Sequence, residues 1–390
     1  MCLPAGVGDR SIPVRDSRLD KLAAVLVEYS TRVKKGDVVA ILGDPVAMPL
    51  IDALYERVLA AGAHPVYLAT PESMKEAMVT FGSDEQLMRT NFLEQHLIDT
   101  VDVRIGLWAE QNTKFLGRAD AKKVAKVQTG RRPIMKKFMD READGTLRWC
   151  GTQFPTQGSA QDAEMSLRDY CDFVFKAGLL HLPDPVAAWK AVFERQEKVR
   201  EYLQTRRTIE FTAPARDGHD GTKLTVDVDP KKSIWINCGG HENFPDGEVF
   251  CGPQGADGHV NYTYPAVYQG REVTGVRLVF KGGRVVDAKA SKNEEFLFKM
   301  LDQDAGARTM GEIAIGTNYS IKEFSRNTLF DEKIGGTFHA AVGAGYPKSG
   351  CANESGLHWD MVCDLRTGGT IAGDGEVFHK DGQFLPVTGF

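Results

Sequence analysis

The sequence lacks any pair of cysteines in C-x-x-C spacing, and its seven cysteines are an odd number. Neither a disulfide framework nor a zinc ribbon is therefore indicated, and reduced thiols in a cytoplasmic protein are the expectation. No apolar run approaches the roughly 20 residues that cross a bilayer. Residues 1–6 contain no basic region followed by an apolar stretch, so no signal peptide is predicted.

A strong excess of charge of either sign is also missing, because the formal net charge is only −5. This balance gives no electrostatic reason to expect nucleic acid or a membrane surface as a partner. The basic run at residues 131–137 lacks interleaved aromatic residues and is interpreted as a solvated face. The G-x-G-x-x-G spacing of dinucleotide-binding proteins is absent after the first predicted strand, where the chain reads Gly43-Asp44-Pro45.

The first half of the chain alternates between helical and strand patterns. Helical spacing of apolar residues begins at Leu19 and recurs over residues 51–59, and a long helix is predicted from Pro185 to about Thr205. Strand-like runs lie between these helices at residues 38–42, 65–68 and 101–107. Strands that alternate with helices are typical of a parallel sheet, so residues 1–206 are predicted to form an α/β domain.

The second half has a different texture, rich in glycine and in short strand patterns. Strands are predicted at residues 224–228, 233–237, 273–280 and 284–290, and residues 281–283 between the last two indicate a hairpin. A chain of 390 residues is long enough for two domains. We therefore predict a second, β-rich α+β domain over residues 207–390.

An H-x-D pair near the C-terminus carries the first sign of chemistry. On an extended strand His358 and Asp360 point to the same face, so both side chains can reach one site. His339 and three isolated glutamates, Glu248, Glu312 and Glu332, precede them. Histidine nitrogen and carboxylate oxygen are the ligands of zinc, manganese, cobalt and similar ions, so a metal-dependent hydrolase is indicated.

The surroundings of two glutamates strengthen this interpretation. Glu248 and Glu312 each stand among glycine and apolar residues, where an unpaired carboxylate would be heavily penalised. His241 and His259 flank the Glu248 segment and Cys251 follows it, but none of the three is predicted as a ligand.

Four segments of the second half resemble, in the same order, the aminopeptidase T / aminopeptidase S (PepS) family of metallopeptidases. The segments are NFPDGEVF (243–250), GEIAIGTN (311–318), FDEKIGGTFH (330–339) and HWDM (358–361). The first half is similar to that family more loosely, at residues 165–170 and 172–175. The resemblance implies a homodimer whose C-terminal domain holds two adjacent divalent ions, of zinc, cobalt, manganese or magnesium.

Carried over by motif, the resemblance also implies the site residues. The implied metal shell comprises Glu248, Glu312, Glu332, His339, His358 and Asp360. Tyr346 matches a tyrosine at the family's active site. The sequence departs from the family's pattern in the loop with Cys351 and Glu354 and at Gly356, which bears on access to the site rather than on a ligand.

The resulting prediction is a metalloaminopeptidase that cleaves N-terminal residues from peptides with a free N-terminus. Glu312 is expected to bridge two ions that hold a hydroxide, and Tyr346 to donate a hydrogen bond to the developing oxyanion. An alternative is a ring-opening dioxygenase similar to dihydroxypyridine dioxygenase, with one iron on His339, His358 and Asp360. The three further glutamates favour the peptidase, and no feature favours a metal-stabilised binding protein without catalysis. The physiological metal and the preferred N-terminal residue stay open.

Overall fold

The computed structural model of the chain describes residues 15–216 and 218–390. The predicted absence of a signal peptide concerns residues 1–6, which lie outside the described residues, as does Cys2. None of the described helices combines the length and the apolar character needed to cross a membrane. The six cysteines in the described part of the chain are free thiols.

The helices lie mainly in the first half. In chain order they are α1 (Ser17–Ala24), which continues as a π-helical turn (Val25–Ser30), α2 (Met48–Ala60), α3 (Glu72–Phe81), α4 (Asp84–Met88), α5 (Phe92–Thr100), α6 (Ala121–Ala143), α7 (Gln157–Asp162), α8 (Leu167–Ala177), α9 (Pro185–Gln204), α10 (Glu294–Leu301) and α11 (Thr328–Asp331). Short 3₁₀ turns occur at Pro45–Ala47, Pro347–Ser349 and Pro386–Thr388. The long helix predicted from Pro185 is confirmed as α9.

The strands lie mainly in the second half. In chain order they are β1 (Val38–Gly43), β2 (His64–Ala69), β3 (Val103–Trp108), β4 (Arg148–Gln153), β5 (Thr208–Ala213), β6 (Thr222–Asp227), β7 (Ile236–Cys238), β8 (Asn243–Phe244), β9 (Glu248–Cys251), β10 (Gly255–Asn261), β11 (Ala266–Tyr268), β12 (Arg271–Val273), β13 (Arg277–Lys281), β14 (Arg284–Lys289), β15 (Met310–Gly316), β16 (Thr337–Gly343), β17 (His358–Asp364), β18 (Thr370–Gly373), β19 (Glu376–Lys380) and β20 (Gln383–Phe384).

The first half forms the predicted α/β unit around a parallel sheet in the order β2-β1-β3-β4-β8. Its central strand β1 is apolar on both faces, as a parallel strand covered by helices on both sides must be. Val39 and Ile41 belong to one core cluster, whereas Ala40 and Leu42 belong to another that includes Ile98 and Ile134 of α5 and α6. The fold class predicted from the alternating pattern is confirmed.

The second half is β-rich, as predicted. An eight-stranded sheet has the order β14-β13-β10-β6-β5-β18-β19-β20, and a five-stranded sheet has the order β17-β16-β15-β9-β7. The hairpin at residues 281–283 is confirmed, since β13 pairs antiparallel with β14.

Two of the strands predicted in the second half differ from the observed strands by more than two residues at one end. The run 273–280 is divided into β12 and β13, because Gly275 turns the chain with φ +63° against Ser291. The run 233–237 is strand only from Ile236 onward, because the backbone N–H of Ile234 donates to the carbonyl of Ser349 and the Ser233 hydroxyl to Gly252.

The second half also contributes to the first sheet. β8 pairs in parallel with β4, and Phe244 packs in the core of the first half together with Phe330 and Ile334. In the other direction, Val199 and Leu203 of α9 pack in the core of the second half. The domain boundary near residue 206 therefore stays a prediction, because residues before it pack in the core of the second half and residues after it pack in the core of the first half.

Candidate metal centre

Five of the six predicted ligands stand on one face of the five-stranded sheet, on neighbouring antiparallel strands, and the sixth, Glu332, directly follows α11. Glu312 of β15 pairs with Ala341 of β16, and Ala341 pairs in turn with Asp360 of β17. Small residues lie between the ligands on this face: Ala314 is opposite His339, and Gly316 is opposite Glu248. Because side chains alternate between the two faces of a strand, the long polar side chains project from the same face. The glycine and alanine residues between them leave space on that face.

The opposite face of the same strands is apolar and closes the core. Ile313, Ile315, Phe338, Val342 and Trp359 are all buried in the large hydrophobic cluster of the second half. Period-two alternation therefore explains why β15 and β16 are buried along their whole length and yet contain Glu312 and His339. The sheet is a rigid platform for the ligands, which need fixed positions to hold an ion.

Both histidines are oriented by backbone carbonyls. His339 Nδ1 lies 3.1 Å from the carbonyl oxygen of Glu332, and His358 Nδ1 lies 2.8 Å from that of Ala344. A carbonyl oxygen only accepts, so each Nδ1 carries a hydrogen and donates it. In the neutral imidazole Nε2 then carries the free electron pair, which is the arrangement that metal-binding histidines adopt.

The Nε2 atom of His339 is surrounded by carboxylates. It lies 3.2 Å from Glu312 Oε1, 3.7 Å from Glu248 Oε2 and 3.8 Å from Asp360 Oδ1. His339 is fully buried, and Glu248 Oε2 and Asp360 Oδ1 are buried oxygens without a hydrogen-bond partner in the described part of the chain. Such orphaned oxygens are costly, and a divalent cation between them and the imidazole would satisfy them. The donor set therefore fits a metal.

Ligand atoms close enough to share one ion form two groups. Glu312, His358 and Asp360 form one group, and Glu332, His339 and Asp360 form the other, with the atoms of each group within 4.8 Å of one another. Asp360 belongs to both: its Oδ2 lies 3.4 Å from His358 Nε2 while its Oδ1 faces His339. His358 is 42% exposed, so the group that contains it forms the open side of the centre.

Two residues of this centre were missed by the sequence reasoning, Lys333 and Asp246. Lys333 is fully buried, and its Nζ contacts Glu332, lies 3.5 Å from Glu248 Oε1 and lies 3.9 Å from Asp246 Oδ1. The signal available in the sequence was a lysine followed directly by Ile334-Gly335-Gly336, in a segment that was already matched for its neighbours. A third group, Cys238 with Asp246 and Glu248, adjoins this end of the centre.

The electrostatics are those of a crowded acidic pocket. Burial disfavours charge on the His339 imidazole, but the hydrogen bond to Glu312 and the charges of Glu248 and Asp360 raise the pKa of His339 to about 10. The charge of Asp360 raises the pKa of His358 to about 11. Burial raises the pKa of the Glu248 carboxyl above its usual range. Protonated imidazoles thus compensate the carboxylates and a proton on Glu248 removes its charge when no cation is bound, and a bound ion would displace these protons.

Hydrogen bonds to the backbone hold residues 246–248 in place. Gln196 of α9 donates to the backbone carbonyl of Glu248 at 3.2 Å, and Asn318 donates to the carbonyl of Asp246 at 2.8 Å. Gly247, with φ +128°, lies so close to Asn318 that a Cβ there would be 2.7 Å from the Asn318 Cβ. Glycine is therefore required at this position in front of the first ligand.

The remaining candidates lie elsewhere. Tyr346 is half-buried beyond the end of β16, with its ring 6.2 Å from that of Phe250, and its hydroxyl lies near Lys348. His241 packs on Tyr29 and Phe193, and His259 lies 3.5 Å from Asp220.

Cys251 faces the apolar core rather than the ligands. The six predicted ligands are thus brought together, whereas Tyr346 has no contact with a ligand among the described interactions.

A cavity of about 320 Å³ borders Glu332 and reaches the carboxyl ends of two strands of the first sheet. Its lining includes Trp108 at the end of β3, Gln153 at the end of β4 and the neighbouring Glu110. The carboxyl edge of a parallel sheet is the usual position of a ligand site in α/β proteins. The two halves of the chain therefore share the space beside the metal centre.

Comparison with known proteins agrees with the sequence motifs. Residues 15–384 match the family model described as thermophilic metalloprotease (M29). The aminopeptidase PepS of Streptococcus thermophilus is 26% identical over 432 aligned positions, covering 96% of this chain and 98% of the relative. The aminopeptidase T of Thermus thermophilus is 28% identical, covering 70% of this chain and 72% of the relative.

A solved structure has the same fold. Wild-type AmpT from Thermus thermophilus superposes with a TM-score of 0.82 and covers 95% of this chain and 99% of its own, at 24% sequence identity. The arrangement of a parallel α/β part followed by a β-rich part is therefore shared with that protein.

Proposed function

The chain belongs to the M29 family of thermophilic metalloproteases, and from this premise we propose that it is an aminopeptidase that works with two divalent ions. The relatives described above are named aminopeptidases, which supports the class of reaction. The observation that carries the two-ion proposal is the pair of ligand groups that share Asp360. Glu312, His358 and Asp360 would hold one ion, and Glu332, His339 and Asp360 the other, with Glu248 beside His339.

The charge of the centre supports the same number of ions. The four carboxylates of the predicted ligands and that of Asp246 carry five negative charges when ionised, and the ammonium of Lys333 offsets one, so four are left when the histidines are neutral. Two divalent cations would neutralise this charge, whereas one would leave half of it buried. Buried charge without compensation is strongly unfavourable.

When bound, the ions would lower the pKa of a water molecule to near neutrality and polarise the scissile carbonyl. The chain's own part is to place its groups around that water and the substrate. Glu312 faces both histidines and is the carboxylate best placed to take a proton and pass it to the leaving amine. The expectation that Glu312 bridges the ions stays a prediction, and Asp360, with one oxygen toward each histidine, is a second candidate for that role.

Substrate binding is proposed in the cavity beside Glu332. Its volume of about 320 Å³ suits the end of a peptide rather than a long segment. The carboxylate of Glu110 lies in its lining and could pair with the free α-ammonium of the substrate. Tyr346, on the loop after β16, is proposed to stabilise the developing oxyanion. Peptides with a free N-terminus are therefore the proposed substrates.

Two further parts of the proposal rest on the sequence. A cytoplasmic location is supported by the free thiols of the described cysteines. A homodimer is proposed from the family resemblance, and light scattering on the purified chain would measure it directly. The dioxygenase alternative is not supported, since the family and the relatives above are peptidases.

The replacement Glu312→Gln tests the peptidase proposal. It keeps the shape of the side chain and removes its charge and its capacity to take a proton, so hydrolysis of an aminoacyl amide with saturating metal should fall by at least about a thousandfold. Circular dichroism should show an unchanged fold. Glu210→Gln, at an exposed position of β5, is the matched control and should keep full activity. Near-normal turnover by the Glu312→Gln variant would refute the proposed role.

A further inference from the structure

A second cavity, of about 300 Å³, lies between the first sheet and helices α5 and α6. The sheet residues that line it, such as Ala40 and Leu42, point away from the core cluster that contains Phe330 and Ile334 of the second half. It is therefore on the other face of the sheet from the chain that carries Glu332, and the peptidase chemistry has no use for it. Its walls are largely apolar, from Leu97, Ile98, Val101, Ile134 and Met135.

One charged group stands in this apolar lining without an acceptor. Arg104 of β3 packs its guanidinium 5.6 Å from the centre of the Phe138 ring. Burial lowers its pKa, and the charges of Glu94 and Arg131 act on it, but no hydrogen bond does. Glu94, the nearest acid, is already paired with Arg131 at 2.5 Å. The N–H groups of Arg104 thus meet no acceptor in the part of the chain that the structure describes.

A second donor without a partner lies beside it. Trp149 of β4 is the register partner of Arg104 across the parallel pair β3–β4, so both side chains point to the same face of the sheet. The indole Nε1 of Trp149 is buried and has no hydrogen-bond partner among the described residues. The Trp149 ring packs edge-on against Phe138 at 5.3 Å. Arg104 and Trp149 therefore present adjacent donors to one cavity, and the Trp149 Nε1 is the one of them that is both buried and unsatisfied among the described residues.

Buried donors almost always find an acceptor, in the protein, in water or in a ligand. The charges at this site favour an anion, because Glu94 and Arg131 neutralise each other and leave the positive charge of Arg104. A planar carboxylate can accept from a guanidinium and an indole N–H together. The apolar walls in turn fit a hydrocarbon or aromatic body.

We propose that this cavity binds a monocarboxylate with a compact apolar body, whose carboxylate accepts hydrogen bonds from Arg104 and Trp149. The site is separate from the metal centre and does not depend on the proposed peptidase activity. Arylalkyl acids and short branched fatty acids are the chemical class that matches the volume, the single positive charge and the apolar lining.

Calorimetric titration of the metal-loaded full chain with 3-phenylpropanoate tests the proposal, with 3-phenylpropan-1-ol as the uncharged counterpart. The acid should bind saturably, and the alcohol at least tenfold more weakly. Arg104→Met, which keeps the length and removes the charge, should weaken binding of the acid at least tenfold. Trp149→Phe, which keeps an aromatic ring and removes the donor, should weaken it several-fold. Arg132→Met, at an exposed position of α6, is the matched control and should bind as the unmodified chain does.

Three results would overturn the proposal. The first is the absence of saturable binding of the acid to the unmodified chain, which would mean that water accepts the hydrogen bonds of Arg104 and Trp149. The second is equal binding of acid and alcohol. The third is undiminished binding to Arg104→Met, which would place the acid at another site, such as the metal centre. Should Arg104→Met fail to fold in a thermal melt, Trp149→Phe and the comparison of acid with alcohol decide the question.

Discussion

A single buried lysine changes how the charges of the metal centre are understood. Lys333 has no exposed surface, and its ammonium contacts or approaches Asp246, Glu248 and Glu332. These carboxylates raise its pKa well above the usual value although burial opposes this, so the lysine is a fixed cation. Its positive charge offsets the repulsion among these carboxylates. The other carboxylate oxygens of the centre would then be available to coordinate the ions.

Replacing Lys333 by Met should therefore be strongly destabilising. Methionine fills a similar volume but leaves buried carboxylates unpaired, so the free energy of unfolding should fall by roughly 3–5 kcal/mol. Urea unfolding at saturating metal measures the change, and Lys322→Met at an exposed position is the control. Equal stability of Lys333→Met and the unmodified chain would show that the lysine does not compensate these acids.

A buried histidine outside the centre predicts a pH dependence. His379 of β19 is fully buried against Phe384, and both of its ring nitrogens lack a hydrogen-bond partner in the described part of the chain. Burial lowers its pKa to about 4. Below about pH 6.5 the unfolded chain binds a proton that the folded chain does not, so stability falls as the pH falls toward 4 and is unaffected above that window.

His379→Leu should remove this part of the acid sensitivity. Between pH 7 and pH 5 the unmodified chain should lose about 2 kcal/mol more free energy of unfolding than the variant. The comparison requires urea titrations of both chains at the two pH values, with His64→Leu as an exposed control. An identical loss in His379→Leu and the unmodified chain would mean that His379 does not carry the effect.

At the scale of elements, β15, β16 and β17 and the segment before β16 determine the centre. Gly316 at the end of β15 lies directly against the backbone of Ile334, so a Cβ there would overlap the carbonyl oxygen of Ile334. The segment that contains Glu332 and Lys333 thus packs against the sheet at Gly316. Close backbone approach, rather than flexibility, is the reason for glycine here.

Gly316→Ala should displace this segment and weaken metal binding. A shift of the residues that support the ligands typically lowers metal affinity roughly 10- to 100-fold. Competition with a fluorescent chelator would measure it. Gly255→Ala, where a Cβ would find Asp227 at an ordinary 3.8 Å, is the matched control. Metal affinity in Gly316→Ala equal to that of the unmodified chain would contradict the account.

The elements of the first half could be predicted because their apolar periods are regular, as in β1, α2 and α9. The strands of the second half are harder to predict, since Gly275 divides one run and the segment from Ser233 bonds to distant backbone instead of to a strand. Motifs predict the six ligands, but the position of Lys333 in the matched segment 330–339 is not enough to predict its role. Its role depends on tertiary contacts that bring it to Asp246 and Glu248, and a lysine in a sequence is ordinarily solvated.

At the scale of the whole molecule the two halves share their cores. β8 extends the first sheet, Phe330 and Ile334 pack on it, and the cavity beside Glu332 has walls from both halves. The sharing of the cores could not be predicted from the composition and the strand patterns of the sequence, because a two-residue strand such as β8 has no periodicity. It places the carboxyl edge of the first sheet beside the metal centre, where we propose that the substrate binds.

The number of ions bound per chain, measured together with activity, is the decisive test of the two-ion centre. The metal-free chain should be titrated separately with zinc, cobalt and manganese, while bound metal is measured by plasma mass spectrometry and hydrolysis of an aminoacyl amide is followed. The account predicts two bound ions per chain and full activity only when both are bound. Full activity with one ion, or one tightly bound iron with oxygen uptake and no amide hydrolysis, would contradict it.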